Sequence, residues 1–411
     1  VERLEGQCGG HSGKLFASDR ETMTARFGWG AEAFSVPDDV AAAWRAAGRR
    51  GAEARLLWTA RLAGLGPAVR AEFERVIAGR LPAGVGEALA GLKAEWFAEG
   101  RSDFSIQTSS DVASLLYDRM PEILVGCADL EAPTNHKRQL PAFNAGDRIG
   151  RYVHCGVREH VMGSAANGMA AHGGVVPFAV TYLPFSDYER PAMRMAALMG
   201  VPVKFVFSHD SIGIGKNGPT HQPVEILAAL RAMPNMTVMR PADAIEAVEC
   251  WEWAIGHRSG PVAMVFARQT VPMVRREAGA ENRSARGAYV LVDAAAGPRR
   301  VTLFSTGSEV AVAVAARDIL EAKGIGTAVV SMPCWDLFEA QPDDYRARVI
   351  GRGTVRVAVE AAVKFGWERW IGDDGGFVGM SSFGASGAAD ELFRHFGITA
   401  EKVVEAALAR L

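Results

Sequence analysis

From about residue 103 the chain alternates two kinds of segment, and this alternation limits its possible folds more than any other feature. Short apolar runs rich in β-branched residues (E-I-L-V-G-C-A, V-V-P-F-A-V-T-Y, V-P-V-K-F-V-F and P-V-A-M-V-F-A) are separated by helical stretches. Examples of the latter are E-H-V-M-G-S-A-A-N-G-M-A-A-H and P-V-E-I-L-A-A-L-R-A-M. Strands that are apolar throughout need cover on both faces, which predicts a mostly parallel sheet between two layers of helix.

A polar stretch rich in Arg, Glu and Gly at 275–286 interrupts the pattern. A second series follows: R-V-T-L-F-S-T-G, a helix over 308–323, T-A-V-V-S-M-P, T-V-R-V-A-V-E, and an amphipathic helix over 400–411. The expected class is therefore α/β, with two domains, each built on a mostly parallel sheet with helices on both faces. Their boundaries fall at about 101–275 and 296–411, with 276–295 as linker. Residues 1–100 carry few strand signals and much Ala, Arg, Leu and Glu (A-A-W-R-A-A-G-R-R, V-R-A-E-F-E-R-V), and read as short surface helices without an independent core. There is no internal repeat and no low-complexity tract.

Composition narrows the function classes. The 411 residues are 49% hydrophobic and 22% charged, enough to bury two or three cores. No run approaches the roughly 18 unbroken apolar residues of a membrane span, and no signal peptide is expected. A net charge of −2 argues against nucleic acid or an anionic membrane as partner. The five cysteines (Cys8, Cys127, Cys155, Cys250 and Cys334) are scattered, odd in number and without metal-ligand spacing, as in a reducing, cytoplasmic protein. The chain begins with Val1 rather than Met, as a fragment would.

The chemistry concentrates between Asp129 and Arg268, where polar residues follow the strand-like runs. In open parallel sheets ligands gather beyond the carboxyl ends of strands. The loop S-H-D-S-I-G-I-G-K-N-G-P-T-H-Q-P holds His209, Asp210, Asn217 and His221. Gly213, Gly215 and Gly218 spell G-x-G-x-x-G, yet a dinucleotide fingerprint needs its last Gly inside a helix's opening turn, and Pro219 and Pro223 delay the helix to about Val224. Positive φ at the glycines is the simpler account. Glu159 stands where a strand gives way to a helix, where a carboxylate ordinarily complements the helix dipole. Tyr182, Phe185 and Tyr188 recur at spacings of three, which suits core packing; Pro184 disfavours a regular helix there, and on a loop the three could stack a flat heterocycle. Arg268 after P-V-A-M-V-F-A is either a phosphate ligand or a solvated charge.

Order and spacing decide among these readings. D-L-x-A-P-T-N, G-V-R-E, F-x-x-Y, H-D-S-I-G-x-G-x-x-G-P-T-H-Q-P and A-R-Q, taken in sequence, resemble the transketolase family. The likeness runs on through R-P-A-D, S-T-G-S-E-V, V-V-S-M-P and F-G-A-S-G. It covers about residues 22–411, and F-G-W-G-A-E-A-F-S-V-P-D-D-V-A-A-A-W looks like the family's connection between its first and second domains. Residues 1–21 match nothing that this reading can place.

The resemblance implies a thiamine diphosphate enzyme that transfers a two-carbon ketol unit from a ketose phosphate, such as xylulose 5-phosphate, to an aldose phosphate, such as ribose 5-phosphate. It implies that Glu159 hydrogen-bonds a ring nitrogen of the cofactor's aminopyrimidine and drives the shift to the imino form that deprotonates the thiazolium. Tyr182, Phe185 and Tyr188 match the family's pocket for the pyrimidine, position 182 being more usually Phe. His221 matches the histidine at the substrate's first hydroxyl, and His209 and Arg268 match residues that hold the sugar phosphate. A homodimer with shared active sites is implied too.

Four further positions depart from the family. Asn217 replaces an aspartate that binds the acceptor hydroxyl, with Lys216 before it where an acid is common. Ile106, in F-S-I-Q-T-S-S, fills the slot of a phosphate-binding arginine. Thr134 replaces an assisting serine. G-D-G and the asparagine-containing metal motif are not found, so the expectation is a partial chain, inactive alone, whose diphosphate and Mg²⁺ (or Ca²⁺) belong to a missing amino-terminal domain. The alternatives are another thiamine enzyme (a 2-oxo acid dehydrogenase β subunit or a deoxyxylulose phosphate synthase) and a non-catalytic transketolase-like interaction protein.

Overall fold

A computed structural model describes residues 1–30, 32–277 and 279–411; Ala31, within the F-G-W-G-A stretch, and Ala278, within the expected linker, lie outside the described residues. By contacts the chain divides into two compact units, Val1–Phe73 and Glu74–Leu411.

The first unit is helical, with helices at Ala17–Arg26, Asp38–Arg49 and Ala52–Ala63. Its described residues include a single buried one, Asp19, which accepts hydrogen bonds from the Arg3 guanidinium at 2.8 and 2.6 Å and from the Phe16 amide at 2.8 Å. Leu15, Phe16, Phe27 and Trp44 stay more than half exposed. The unit thus has no core of its own, as its Ala- and Arg-rich helices suggest.

Among the described residues, the second unit holds thirteen strands in three sheets. They are β1 (Asp103–Phe104), β2 (Ile123–Cys127), β3 (Tyr152–His154), β4 (Val176–Tyr182), β5 (Lys204–Ser208), β6 (Thr237–Met239), β7 (Val262–Val265), β8 (Thr270–Val271), β9 (Tyr289–Val292), β10 (Val301–Ser305), β11 (Thr327–Ser331), β12 (Val355–Val363) and β13 (Gly376–Met380). Six strands form a wholly parallel sheet in the order β3-β2-β4-β5-β7-β6. Every residue of β4, β5 and β7 is buried, which is why these runs read as continuously apolar. The second sheet runs β13-β12-β10-β11-β9, parallel except for β9. β1 and β8 make a two-residue antiparallel pair.

Several local expectations shift. β9 lies inside the stretch taken as linker, so the second series starts earlier. Arg275, at the head of that polar stretch, is 3% exposed and donates to Glu249 at 2.6 and 3.1 Å, so this end of the stretch is buried and paired. The helix over 308–323 opens as a tight 3₁₀ turn, Gly307–Glu309, before Val310–Ala322, and the last helix is Ala400–Leu408. Ile106 sits in the helix Ser105–Arg119, 2% exposed within the first sheet's apolar cluster. An arginine with this orientation would bury its charge, so the local packing has adapted to the aliphatic side chain.

The two larger sheets are joined by a buried ionic network. Arg240, just after β6, donates to Asp210 at 2.6 and 3.1 Å and to Glu309 at 2.6 and 3.1 Å, and lies 3.6 Å from Glu360 of β12. Arg231 pairs with the same Glu360 at 2.8 and 2.9 Å, and the Trp367 indole donates to it at 2.7 Å. Arg240, Asp210, Glu309 and Glu360 are all essentially unexposed. Such a group fixes relative position more than it adds stability, because desolvation offsets most of the attraction.

Candidate active site

Strand order in the six-stranded sheet reverses between β2 and β4, which opens a crevice beyond their carboxyl ends. The sequence candidates collect on that edge. Glu159 opens the helix Glu159–His172 soon after β3; Tyr182 ends β4; His209 follows β5; Arg268 follows β7.

The rings form one cluster. Tyr182 and His209 stack with centroids 3.4 Å apart and 24° between planes, and Tyr182 stacks on Phe185 at 5.5 Å. Tyr188 is 6.1 Å from Phe185, and His221 meets Phe185 edge-on at 5.3 Å and Tyr182 at 6.1 Å. The chain makes this possible with a 3₁₀ turn, Leu183–Phe185, followed by the helix Ser186–Met199. Phe185 lies in the 3₁₀ turn with Pro184 rather than in a regular helix, but Tyr188 is helical. Tyr182 is nearly buried while Tyr188 is exposed, so the cluster runs from interior to surface.

Burial holds the His209 imidazole down to about 3, helped by the nearby His221 and Arg268, so the ring is neutral at physiological pH. Its Nδ1 shares a 2.9 Å hydrogen bond with the Ser208 hydroxyl. His209 also takes φ 66°, a left-handed backbone that turns the ring back over Tyr182. Half-buried His221 shares a 2.9 Å bond with the Thr220 hydroxyl through its own Nδ1. Arg268 is partly exposed, with its guanidinium 5.0 Å from the Phe104 ring centroid.

The glycine loop behaves as a shaped turn. Gly215 and Gly218 take φ +71° and +77°, and a Cβ at Gly213 would stand 2.3 Å from the Gln269 amide nitrogen. The next α-helix begins only at Ile226. Gln222, whose role the sequence reading missed, is 2% exposed and donates to the carbonyls of Gly215 at 3.1 Å and Ala385 at 2.9 Å. A Cβ at Gly384 would lie 1.7 Å from Gln222 Oε1, so T-H-Q-P and F-G-A-S-G belong to one contact. Asn217 ends the 3₁₀ segment Ile212–Asn217, exposed at the rim. Thr134 stands apart in character: it is 1% exposed and donates its hydroxyl to the Leu130 carbonyl at 2.8 Å.

Glu159 is 5% exposed, and no side-chain hydrogen bond engages its carboxylate among the described residues. A nearly buried carboxylate at a helix N-terminus, open to a partner and on the same sheet edge as the aromatic cluster, suits a flat heterocycle carrying a ring nitrogen. These residues fit the aminopyrimidine of thiamine diphosphate. No group of three or more His, Cys, Asp or Glu among the described residues could hold a metal ion.

Three family models match: transketolase pyrimidine binding domain over residues 106–274, transketolase-like C-terminal domain over 287–399, and transketolase thiamine diphosphate binding domain over 2–82. The chain belongs to the transketolase family. It is 45% identical over 410 residues to a transketolase of Sinorhizobium medicae, covering 99% of this chain and 58% of that protein. Transketolase from Leishmania mexicana superposes with TM-score 0.86 at 36% identity, over 95% of this chain and 57% of that one. Transketolase of Pichia stipitis in complex with sedoheptulose 7-phosphate gives 0.88 at 33%, over 96% and 59%. The chain thus spans about three-fifths of the length of these transketolases.

One expectation is overturned. Residues 2–82 match the thiamine diphosphate binding domain, so residues 1–21 are not unassignable, and the diphosphate domain with its metal cannot be called missing from this chain. Residues 1–21 hold short helices with one buried residue, and nothing in them alone marks the family.

Proposed function

We propose that this chain supplies the pyrimidine-activating and sugar-holding part of a thiamine diphosphate-dependent ketol transferase, moving a two-carbon unit from a ketose phosphate to an aldose phosphate. The observation that carries the reading is Glu159: a nearly buried, unengaged carboxylate at the sheet edge where the Tyr182–Phe185–Tyr188 rings gather. Bound thiamine diphosphate, with Mg²⁺ or Ca²⁺ on its diphosphate, would supply a carbon nucleophile at its thiazolium ring. Glu159 exchanges a proton with the ring nitrogen of the aminopyrimidine, and the apolar surroundings strengthen that bond. The three aromatic rings hold the pyrimidine plane and exclude water.

His221, half-buried at the mouth of the cluster, orients the substrate's first hydroxyl. Neutral His209 and charged Arg268 bind the sugar phosphate at separate oxygens. Asn217 faces the acceptor's 2-hydroxyl from the rim. Thr134 contributes only if its hydroxyl leaves the Leu130 carbonyl. Exposed Val157, Val161, Tyr188, Met195 and Leu198, on and beside the two helices that flank the site, suit a homodimer interface. The five unpaired cysteines agree with a cytoplasmic setting, and no helix is long and apolar enough to cross a membrane among the described residues.

The test is ketol transfer from xylulose 5-phosphate to ribose 5-phosphate by the holoenzyme. Glu159→Gln should lower kcat on the order of 10²-fold or more. A near-normal kcat at saturating cofactor would remove Glu159 from the reaction.

A further inference from the structure

The helix Ser186–Met199 buries Ala192, Met193, Ala196 and Ala197, and Glu189 stands in the same stripe at i, i+3, i+4, i+7 spacing. Its side chain is wholly buried, and neither carboxyl oxygen has a hydrogen-bond partner among the described residues. Burial within this chain alone means that a second subunit cannot supply one. Glu189 packs against Gly163, where an added Cβ would stand 2.7 Å from its Oε1 and 2.8 Å from its Cγ. Gly163 lies one turn beyond Glu159 on the facing helix, so the i,i+4 relation sets Glu159 beside this contact.

No ion pair joins either carboxylate to a cation among the described residues. The groups acting on Glu189 and its surroundings are Glu159, from the facing helix, the Cys155 thiol, from the segment leading into it, and Arg158, which acts on Cys155 and donates to the Cys155 carbonyl at 3.1 Å. Burial first, and the Glu159 charge second, push the Glu189 carboxyl well above its ordinary 4.5. Two buried carboxyls without a paired cation cannot both ionise cheaply.

We propose that Glu189 is a positioning residue for Glu159: Glu189 stays protonated, and the single charge of the two is presented by Glu159 to the pocket. This rests on the role given to Glu159 above. Loss of the stored proton would set a second negative charge against Glu159 and weaken its exchange with the pyrimidine nitrogen. Glu189 touches neither cofactor nor substrate in this scheme.

The experiment compares Glu189→Gln and Glu189→Met with the parent chain. A carboxyl raised in the folded state contributes stability below its unfolded value and loses it as pH climbs toward the folded value. Both variants should therefore gain on the parent as pH rises from about 5 to about 8, by a few degrees in Tm. Infrared spectroscopy of glutamate-labelled chain should show a protonated buried carboxyl at neutral pH that disappears in Glu189→Gln. In the holoenzyme, the alkaline fall of kcat should move up by about one pH unit or more, a tenfold change in proton concentration. A Tm difference independent of pH, or no protonated carboxyl, overturns the stored proton; an unchanged alkaline limb overturns the link to Glu159. A normal kcat in Glu159→Gln would instead sink the assignment of Glu159, while the Tm and infrared results for Glu189 would stand.

Discussion

The imidazole of His209 lies flat on the ring of Tyr182, with 3.4 Å between centroids and a 24° tilt. Burial, with His221 and Arg268 nearby, keeps the imidazole neutral, because charging it would strand a desolvated cation beside other positive groups. A folded value near 3 against an ordinary 6.5 means that His209 contributes stability above about pH 6.5 and loses it as pH falls toward 3. His209→Gln should flatten the loss of stability between about pH 7 and pH 4, by on the order of 3 kcal/mol. Urea unfolding at the two pH values measures this. Equal slopes for mutant and parent would mean that the ring is already charged in the fold.

Arg240→Met tests the join between the sheets. It would leave Asp210 and Glu309 buried without their cation, a loss of about 3–5 kcal/mol. Arg268→Met, at a partly exposed position, should change stability by only about 0.5 kcal/mol while raising KM for phosphorylated sugars. Denaturant midpoints and KM for the two variants should therefore separate the structural arginine from the phosphate-binding one.

Gly384→Ala addresses the contact between T-H-Q-P and F-G-A-S-G. The new methyl would displace Gln222 from the carbonyls of Gly215 and Ala385, at a cost of about 1–3 kcal/mol. Because Gln222 follows His221 directly, kcat should fall too. Full activity with unchanged stability would show that the loop does not depend on this anchor.

At the rim, Asn217→Asp should strengthen the bond to an acceptor hydroxyl by about 1 kcal/mol, or roughly fivefold in selectivity. The ratio of kcat/KM for glycolaldehyde over acetaldehyde reports it. An unchanged ratio would place residue 217 away from the acceptor.

Much of this was legible in the sequence, for reasons visible in the structure. β4, β5 and β7 are buried on both faces, so their unbroken apolar runs, alternating with helical stretches, revealed the parallel sheet. Tyr182, Phe185, His209 and His221 were legible because one short stretch after each of two neighbouring strands carries them. Contacts between distant segments were not. Gln222 and Gly384 are far apart in sequence, and nothing in either segment names the other. Ile106 looked like a substituted phosphate ligand, but its burial is a packing fact that periodicity in one helix cannot show. Glu189 did leave a trace, a carboxylate on an otherwise apolar helical stripe, which the spacing of Ala192, Met193 and Ala196 exposes. Residues 1–21 left none, since Asp19 alone is buried among them.

The account turns on Glu159, and the most direct measurement is exchange of the thiazolium C2 proton for deuterium in the holoenzyme, followed by acid quench and NMR. This step precedes any sugar, so it isolates the carboxylate from phosphate and acceptor binding. Glu159→Gln should slow the exchange on the order of 10²-fold or more, with cofactor saturation maintained. Exchange at the parent rate in the saturated variant would contradict the account.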